Sequence, residues 1–197
     1  MSVLIKICGL SDAEGINAAV ASGADAVGFV FYEKSPRNIN IGHAIDLSAL
    51  VPDQVLRVAV MLHPKPDFCD AVLSGLVPDV IQTDASDFSY LNVPGYVQRW
   101  PVLRESQVEK GVPVPERFIY ESDASGRGSK VDWVKAARIA TQGEMVLAGG
   151  LDAGNVAEAI RETKPWAVDV SSGVESAPGR KDPQMIHEFI AAARAAG

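Results

Sequence analysis

Short apolar runs alternate with longer stretches of helical period along the whole chain. The runs are Val3–Cys8, Ala26–Phe31, Leu56–Leu62, Val80–Thr83, Tyr96–Leu103, Arg117–Glu121, Glu144–Ala148 and Ala167–Val170. They are rich in Val and Ile and apolar at consecutive positions, the pattern of strands buried on both faces of a parallel sheet. Helix candidates fill the gaps. Ser11-Asp12-Ala13-Glu14 reads as a capping box ahead of Ile16, Ala19 and Val20, with Gly23 as a stop. Val131, Val134 and Ala137 mark a second face, Val156, Ala159 and Ile160 a third, and Ile186, Phe189, Ile190 and Ala193 the last. Ser86–Val93 is either a single helical turn or a loop.

Eight strand–helix units in 197 residues leave about 24 residues per unit, room for a strand, a short helix and two tight connections. A (β/α)8 barrel usually takes about 250 residues and runs down to about 200. The competing architecture, an open doubly wound sheet, wants a glycine-rich phosphate loop after its first strand. Cys8-Gly9-Leu10-Ser11 holds one glycine. The pattern therefore predicts an α/β fold, a compact (β/α)8 TIM barrel over residues 1–197, and no linker or charge block marks a second domain.

The apolar fraction of 47% with 22% charged residues is ordinary for a globular chain. Eighteen Lys and Arg against 25 Asp and Glu give a net charge of −7, which argues against non-specific nucleic-acid binding and against an anionic membrane surface. Cys8 and Cys69 form no CxxC and have no neighbouring His, so neither a disulfide framework nor a zinc site is signalled. Lys6 interrupts an N-terminal apolar run too short for a signal peptide or a membrane span. A cytoplasmic protein is expected, and nothing in the pattern decides between a monomer and a homodimer.

A barrel carries its active site at the C-terminal ends of its strands. Those ends are Cys8-Gly9, Tyr32 to Arg37, His63, Asp84, Arg104, Glu121 to Asp123, Gly149-Gly150 and Ser171-Ser172-Gly173. The last two clusters follow adjacent strands, where glycines let backbone N–H groups approach an anion and hydroxyls add donors. They form a candidate phosphate site, or else a pair of tight strand-to-helix turns. Cys8 is either an inert buried thiol or a catalytic one. Arg37, behind Pro36, is a surface arginine or a fork suited to a carboxylate. His63 and Asp84 are too few to hold a metal, His43 and His187 fall on outer helix faces, and Cys69 and Trp133 read as packing residues. Ser122–Lys130, with its glycines, is a candidate lid.

In order along nearly the whole chain stand Ile5-Lys6-Ile7-Cys8-Gly9-Leu10, Ala26-Val27-Gly28-Phe29-Val30-Phe31 with Ser35-Pro36-Arg37, and Gly128 to Trp133. Leu147-Ala148-Gly149-Gly150-Leu151 with Asn155-Val156 and Val168-Asp169-Val170-Ser171-Ser172-Gly173-Val174-Glu175 with Gly179 to Asp182 complete the set. Together they resemble phosphoribosylanthranilate isomerase. The resemblance implies a cofactor-free, metal-free Amadori rearrangement in tryptophan biosynthesis. N-(5′-phosphoribosyl)anthranilate would become 1-(o-carboxyphenylamino)-1-deoxyribulose 5-phosphate. It places the general base on Cys8, the anthranilate carboxylate on Arg37, and the phosphate on Gly149, Gly150, Ser171, Ser172 and Gly173, with Asp169 in the same binding set.

Two positions depart from the family pattern. Where the family has an aspartate as general acid at the end of strand six, this chain reads Phe118-Ile119-Tyr120-Glu121-Ser122-Asp123, so the acid is Glu121 by register or Asp123 by residue type. Strand four ends Gln82-Thr83-Asp84 where the family commonly has Gln-Leu-His-Gly. The chemistry is demanding in either case. A thiol of ordinary pKa is only ~3% ionised at pH 7, and a glutamate raised by ~2 units would be about one-sixth protonated. Two rivals remain at this point: an isomerase or epimerase for another sugar phosphate, and a non-catalytic phospholigand-binding barrel.

Overall fold

The computed structural model describes residues 3–123 and 131–196. Eight parallel strands close into a barrel in sequence order: β1 (Leu4–Cys8), β2 (Ala26–Phe31), β3 (Leu56–Met61), β4 (Val80–Asp84), β5 (Gln98–Arg104), β6 (Arg117–Glu121), β7 (Glu144–Ala148) and β8 (Ala167–Val170). β8 closes on β1, with Leu4 opposite Ala167 and Ile7 opposite Val170. The (β/α)8 barrel expected from the sequence is the fold observed.

Helices α1 (Ala13–Ser22), α2 (Ile41–Ser48), α3 (Pro66–Leu76), α4 (Glu105–Glu109), α5 (Trp133–Ala140) and α6 (Val156–Thr163) connect the strands, and α7 (Pro183–Arg194) follows the last of them. After β4 the ambiguous segment is a 3-10 turn, Ala85–Ser89, so the barrel has seven α-helices rather than eight among the described residues. A short hairpin not signalled by the apolar pattern, β9 (Glu175–Ala177) with β10 (Arg180–Lys181), stands above β8. Of the candidate lid, residues 124–130 lie outside the described residues.

Two local expectations need correction. Asp12, not Ser11, caps α1 and accepts from the Gly15 amide at 2.7 Å, because the helix begins one residue later than the box implied. Val134 is 64% exposed. Asp132 caps α5, so Val131 lies before the helix and cannot set its phase. The face that packs inward carries Ala136 and Ile139.

Successive strand residues point to opposite faces. One set, including Ile5, Ile7, Val27, Phe29, Leu103, Phe118 and Leu147, packs under the helices. The other fills the barrel with Ala26, Val58, Val80, Trp100, Val102, Ile119, Val146 and Ala167. Trp100 meets Trp166 edge-on with centroids 5.7 Å apart, filling the lower end. Going up five of the strands the inward set turns polar: Leu4 to Lys6 to Cys8, Val80 to Gln82 to Asp84, Val102 to Arg104, Ile119 to Glu121, Ala167 to Asp169. The same period-two alternation that fills the core thus delivers a ring of functional side chains to the upper mouth.

Candidate active site

A cavity of about 570 Å³ opens at that mouth, within the usual size of a small-molecule site. Cys8, Arg37, Gln82, Asp84, Arg104, Glu121, Gly149, Gly150, Asp169, Ser171 and Ser172 all line it. Gly173 stands behind the wall, where a Cβ would fall on the Leu151 carbonyl.

Cys8 is buried at the end of β1. Two residues earlier, on the same face, Lys6 is 1% exposed. Its Nζ donates to Asp169 Oδ1 at 2.8 Å. Burial opposes the ammonium, yet the charges of Asp169 and Cys8 hold the Lys6 pKa above its ordinary value. For Cys8 burial wins and pushes the thiol up, while Lys6 and the more distant Lys181 pull the other way. The thiol therefore sits in a dry setting beside one ammonium, that of Lys6. The Lys6 charge favours ionisation, and that of Asp169 opposes it.

Room for this arrangement comes from Gly28, opposite Cys8 on β2. A Cβ there would lie 3.0 Å from Cys8 Sγ and 3.3 Å from Lys6 Cε. The Gly28→Ala variant is expected to fold but to displace the thiol, lowering kcat by about tenfold to a hundredfold with a smaller change in KM. Steady-state kinetics beside a thermal melt separate that outcome from simple destabilisation.

Above β8 a buried charge network ties the loops together. Arg37 donates from Nε to Glu175 Oε1 at 2.6 Å and from Nη2 to Glu175 Oε2 at 2.8 Å. Lys181 Nζ donates to the same Glu175 at 2.7 Å and to the Ser171 carbonyl at 2.8 Å. Ser171 Oγ in turn donates to the Cys8 carbonyl at 3.1 Å. Burial works against the Glu175 carboxylate, but Arg37 and Lys181 hold its pKa below the ordinary range. Burial lowers the Lys181 pKa despite Glu175. Of the two readings of Arg37, the surface arginine does not hold, because the side chain is buried, and the fork does take a carboxylate bidentately, that of Glu175, brought over by the hairpin.

The turn after β7 has Gly149 at φ +95° and Gly150 at +67°, backbone that glycine adopts without strain. Asn155 fastens it, donating to the Gly150 carbonyl at 2.9 Å and accepting from the Asp152 amide at 3.0 Å. Ser171 and Ser172, just past the end of β8, line the cavity beside it, so two polar turns stand side by side at the mouth.

On the opposite wall the two acid candidates part company. Glu121 continues the inward phase of β6 and faces the cavity, with Oε1 3.6 Å from Arg104 Nη2. Asp123 lies past the end of the strand, exposed, and accepts from Ser106 Oγ at 2.6 Å on α4. The structure does not bring Asp123 into the cavity. The chain has left the sheet by that point and carries the side chain outward.

His63, at φ +48°, is clamped by Asp87, which accepts from its backbone N–H at 3.1 Å and lies 2.8 Å from its Nδ1. The Asp87 hydrogen bond raises the His63 pKa. His63 and Asp84 are 3.3 Å apart, but Asp84 is bonded to Arg104 as well. Among the described residues no group of three His, Cys, Asp or Glu side chains gathers in a metal-binding arrangement. No helix among them is long and apolar enough to cross a membrane. Cys69 is buried in α3, its thiol pushed up to about 11 by burial, as suits an inert packing residue.

Sequence reasoning gave no role to Lys6, Lys181 or Glu175. A signal existed for the first: a lysine two residues before Cys8 in an apolar strand shares its face and has nowhere to go but the barrel interior.

The fold and its mouth define a (β/α)8-barrel enzyme. Residues 5–192 match the family model of N-(5′-phosphoribosyl)anthranilate (PRA) isomerase. The N-(5′-phosphoribosyl)anthranilate isomerase of Rhodopseudomonas palustris is 37% identical over 213 residues, covering all of both chains. That of Paracoccus denitrificans is 40% identical over 217 residues, covering 99% of each. Among solved structures, phosphoribosyl anthranilate isomerase from Thermotoga maritima superposes with a TM-score of 0.86 at 32% identity, covering 98% of this chain and 99% of that one. The chain belongs to the N-(5′-phosphoribosyl)anthranilate isomerase family.

Proposed function

We propose that this chain converts N-(5′-phosphoribosyl)anthranilate to 1-(o-carboxyphenylamino)-1-deoxyribulose 5-phosphate, the isomerase step of tryptophan biosynthesis, by acid–base catalysis from its own side chains. The observation that carries the reading is the placement of a cation-flanked thiol, Cys8, and a carboxyl, Glu121, on facing parts of one cavity, with two polar turns beside them. A related phosphoribosyl anthranilate isomerase, 32% identical with a TM-score of 0.83, was solved with the reduced form of that ketose phosphate.

Glu121, protonated, donates to the ribose ring oxygen. The C1′–O4′ bond breaks, and the anthranilate nitrogen lone pair closes a C1′=N double bond. The Cys8 thiolate then removes the C2′ proton, and those electrons form C1′=C2′ while the nitrogen recovers its pair. Tautomerisation of this enolamine moves a proton from the 2′-hydroxyl to C1′ by way of solvent and leaves the ketone. Substrate and product balance, and the proton gained by the thiol returns through solvent to the carboxylate. The Gly149–Gly150 and Ser171–Ser172 turns hold the phosphate. The third guanidinium nitrogen of Arg37, Nη1, meets the anthranilate carboxylate while Glu175 fixes the other two. Asp169 acts through Lys6, keeping its ammonium beside the thiol.

Arg37→Ala is expected to raise KM for the anthranilate compound by about tenfold or more, the worth of one charge-assisted hydrogen bond. An unchanged KM would instead favour a sugar phosphate without an aromatic carboxylate.

A further inference from the structure

β4 sends Val80, Gln82 and Asp84 into the barrel, and the middle one has an unmet need there. Strand register sets Gln82 level with Val60 on β3 and Trp100 on β5, and Val60 level with Val30 on β2. Val30, Val60 and Val102 line the cavity beside it. A carboxamide thus stands in an apolar stretch of wall, only 7% exposed. Its Oε1 is buried and accepts no hydrogen bond among the described residues. Trp100, level with it, gives its Nε1–H to Gln98 Oε1 at 3.3 Å, and Arg104, further up β5, gives Nη1 to Asp84 at 2.8 Å. An orphaned buried acceptor costs free energy that an apolar side chain of the same size would not. Folding gains nothing from this oxygen, so its use lies with what enters the cavity.

We propose that Gln82 Oε1 accepts a hydrogen bond from the anilino N–H of the substrate and keeps that bond through ring opening. The inference rests on the proposed isomerase reaction and adds a further group to it. In that reaction the turns after β7 and β8 hold the phosphate, and Arg37, after β2, meets the carboxylate. Between those ends, the apolar wall of Val30, Val60 and Val102 is the surface that suits an aromatic ring. The anilino nitrogen joins that ring to the ribose, and Gln82 is the acceptor set in that wall. The last torsion of a glutamine is soft and two-fold, so the oxygen turns to a donor without disturbing the strand.

The bond matters most once C1′–O4′ has broken. The nitrogen then shares its lone pair with C1′ and carries positive charge. Its N–H becomes a charge-assisted donor, roughly twice as strong as a neutral one. A contact that strengthens on the way to the intermediate lowers the barrier as well as tightening binding. When Cys8 takes the C2′ proton, the nitrogen recovers its pair and keeps its hydrogen, so no proton passes to Gln82.

Gln82→Met and Gln82→Leu nearly keep the side-chain volume and remove both hydrogen-bonding groups. Each is expected to fold with a Tm equal to or above the parent's, because an orphaned polar atom gives way to an apolar one. Activity moves the other way: kcat falls by about tenfold to a hundredfold, the worth of a hydrogen bond to a charged group, and KM changes by about threefold or less. The deciding measurement is calorimetric affinity for two unreactive ligands. One is the reduced product analogue, and the other has an ether oxygen in place of its anilino nitrogen. The full parent chain is expected to prefer the amine by about tenfold. In both variants that preference vanishes, through weaker binding of the amine and tighter binding of the ether. Equal losses for the two ligands, a preference that survives, or a lowered Tm with parallel losses overturns the proposal. A parent chain that binds both ligands without turnover overturns the proposed reaction, and the preference still decides the contact made by Gln82. A parent chain that binds neither overturns both.

Discussion

Cys8→Ala is expected to lower kcat by about a thousandfold or more, at the upper end of what a positioned base contributes, while the reduced product analogue still binds within about threefold of its parent affinity. The thiol is one small group on the cavity wall and contributes little to ground-state binding. Its removal leaves Lys6, Asp169 and the Arg37–Glu175–Lys181 network in place. The ionisation balance explains why the loss is so complete. Reaction needs the thiol ionised and the carboxyl protonated, the reverse of their ordinary order, since a free thiol titrates near 8.5 and a glutamate near 4.3. The fraction in the working state is therefore small, and flat between the two pKa values. It falls below the carboxyl's pKa because the thiolate is lost, and above the thiol's pKa because the proton on the acid is lost. Burial raises the Cys8 pKa, so the alkaline break of kcat is expected above the ordinary thiol range. Lys6→Met removes the nearer cation and pushes the thiol further up, so it should depress the plateau and move the alkaline break to still higher pH. A kcat–pH profile reads both effects. Loss of activity with an unmoved break would mean that Lys6 serves only packing.

Glu121→Gln is the second large effect: a fall in kcat of about a hundredfold to ten-thousandfold, the usual worth of a general acid, with a modest change in KM. Glutamine is nearly isosteric, so cavity shape is kept while the transferable proton is lost. Asp123→Asn should stay within about threefold of the parent, because its carboxylate is bonded to Ser106 outside the cavity. Glu121→Asp restores the residue type usual in the family but withdraws the carboxyl by one methylene, and is expected to retain partial activity. Near-parent activity in Glu121→Gln together with a collapse in Asp123→Asn would exchange the two assignments.

The strands were legible because a parallel barrel strand is apolar on consecutive positions. Val80–Thr83 and Arg117–Glu121 were readable within a residue or two of their observed limits. The site was legible wherever chemistry follows a strand directly, as at Cys8, Gly149-Gly150 and Ser171-Ser172. What stayed hidden depends on contacts between distant segments. Glu175 reaches Arg37 across 138 positions, through a hairpin whose three- and two-residue strands give no periodic signal. The choice between Glu121 and Asp123 turned on strand phase, which register supported and residue type opposed. The departures at strands four and six looked independent in sequence. In space Asp84 and Glu121 flank one guanidinium.

The most direct test is turnover of N-(5′-phosphoribosyl)anthranilate by the purified chain, with the substrate generated in situ from anthranilate and phosphoribosyl pyrophosphate by a phosphoribosyltransferase. Once generation is complete, chelator is added before the chain. The expected result is a rapid loss of anthranilate-type fluorescence on adding the chain, undiminished by the chelator and absent with Cys8→Ala. A folded chain that leaves the fluorescence unchanged, or a Cys8→Ala variant that turns over like the parent, would contradict the proposed reaction.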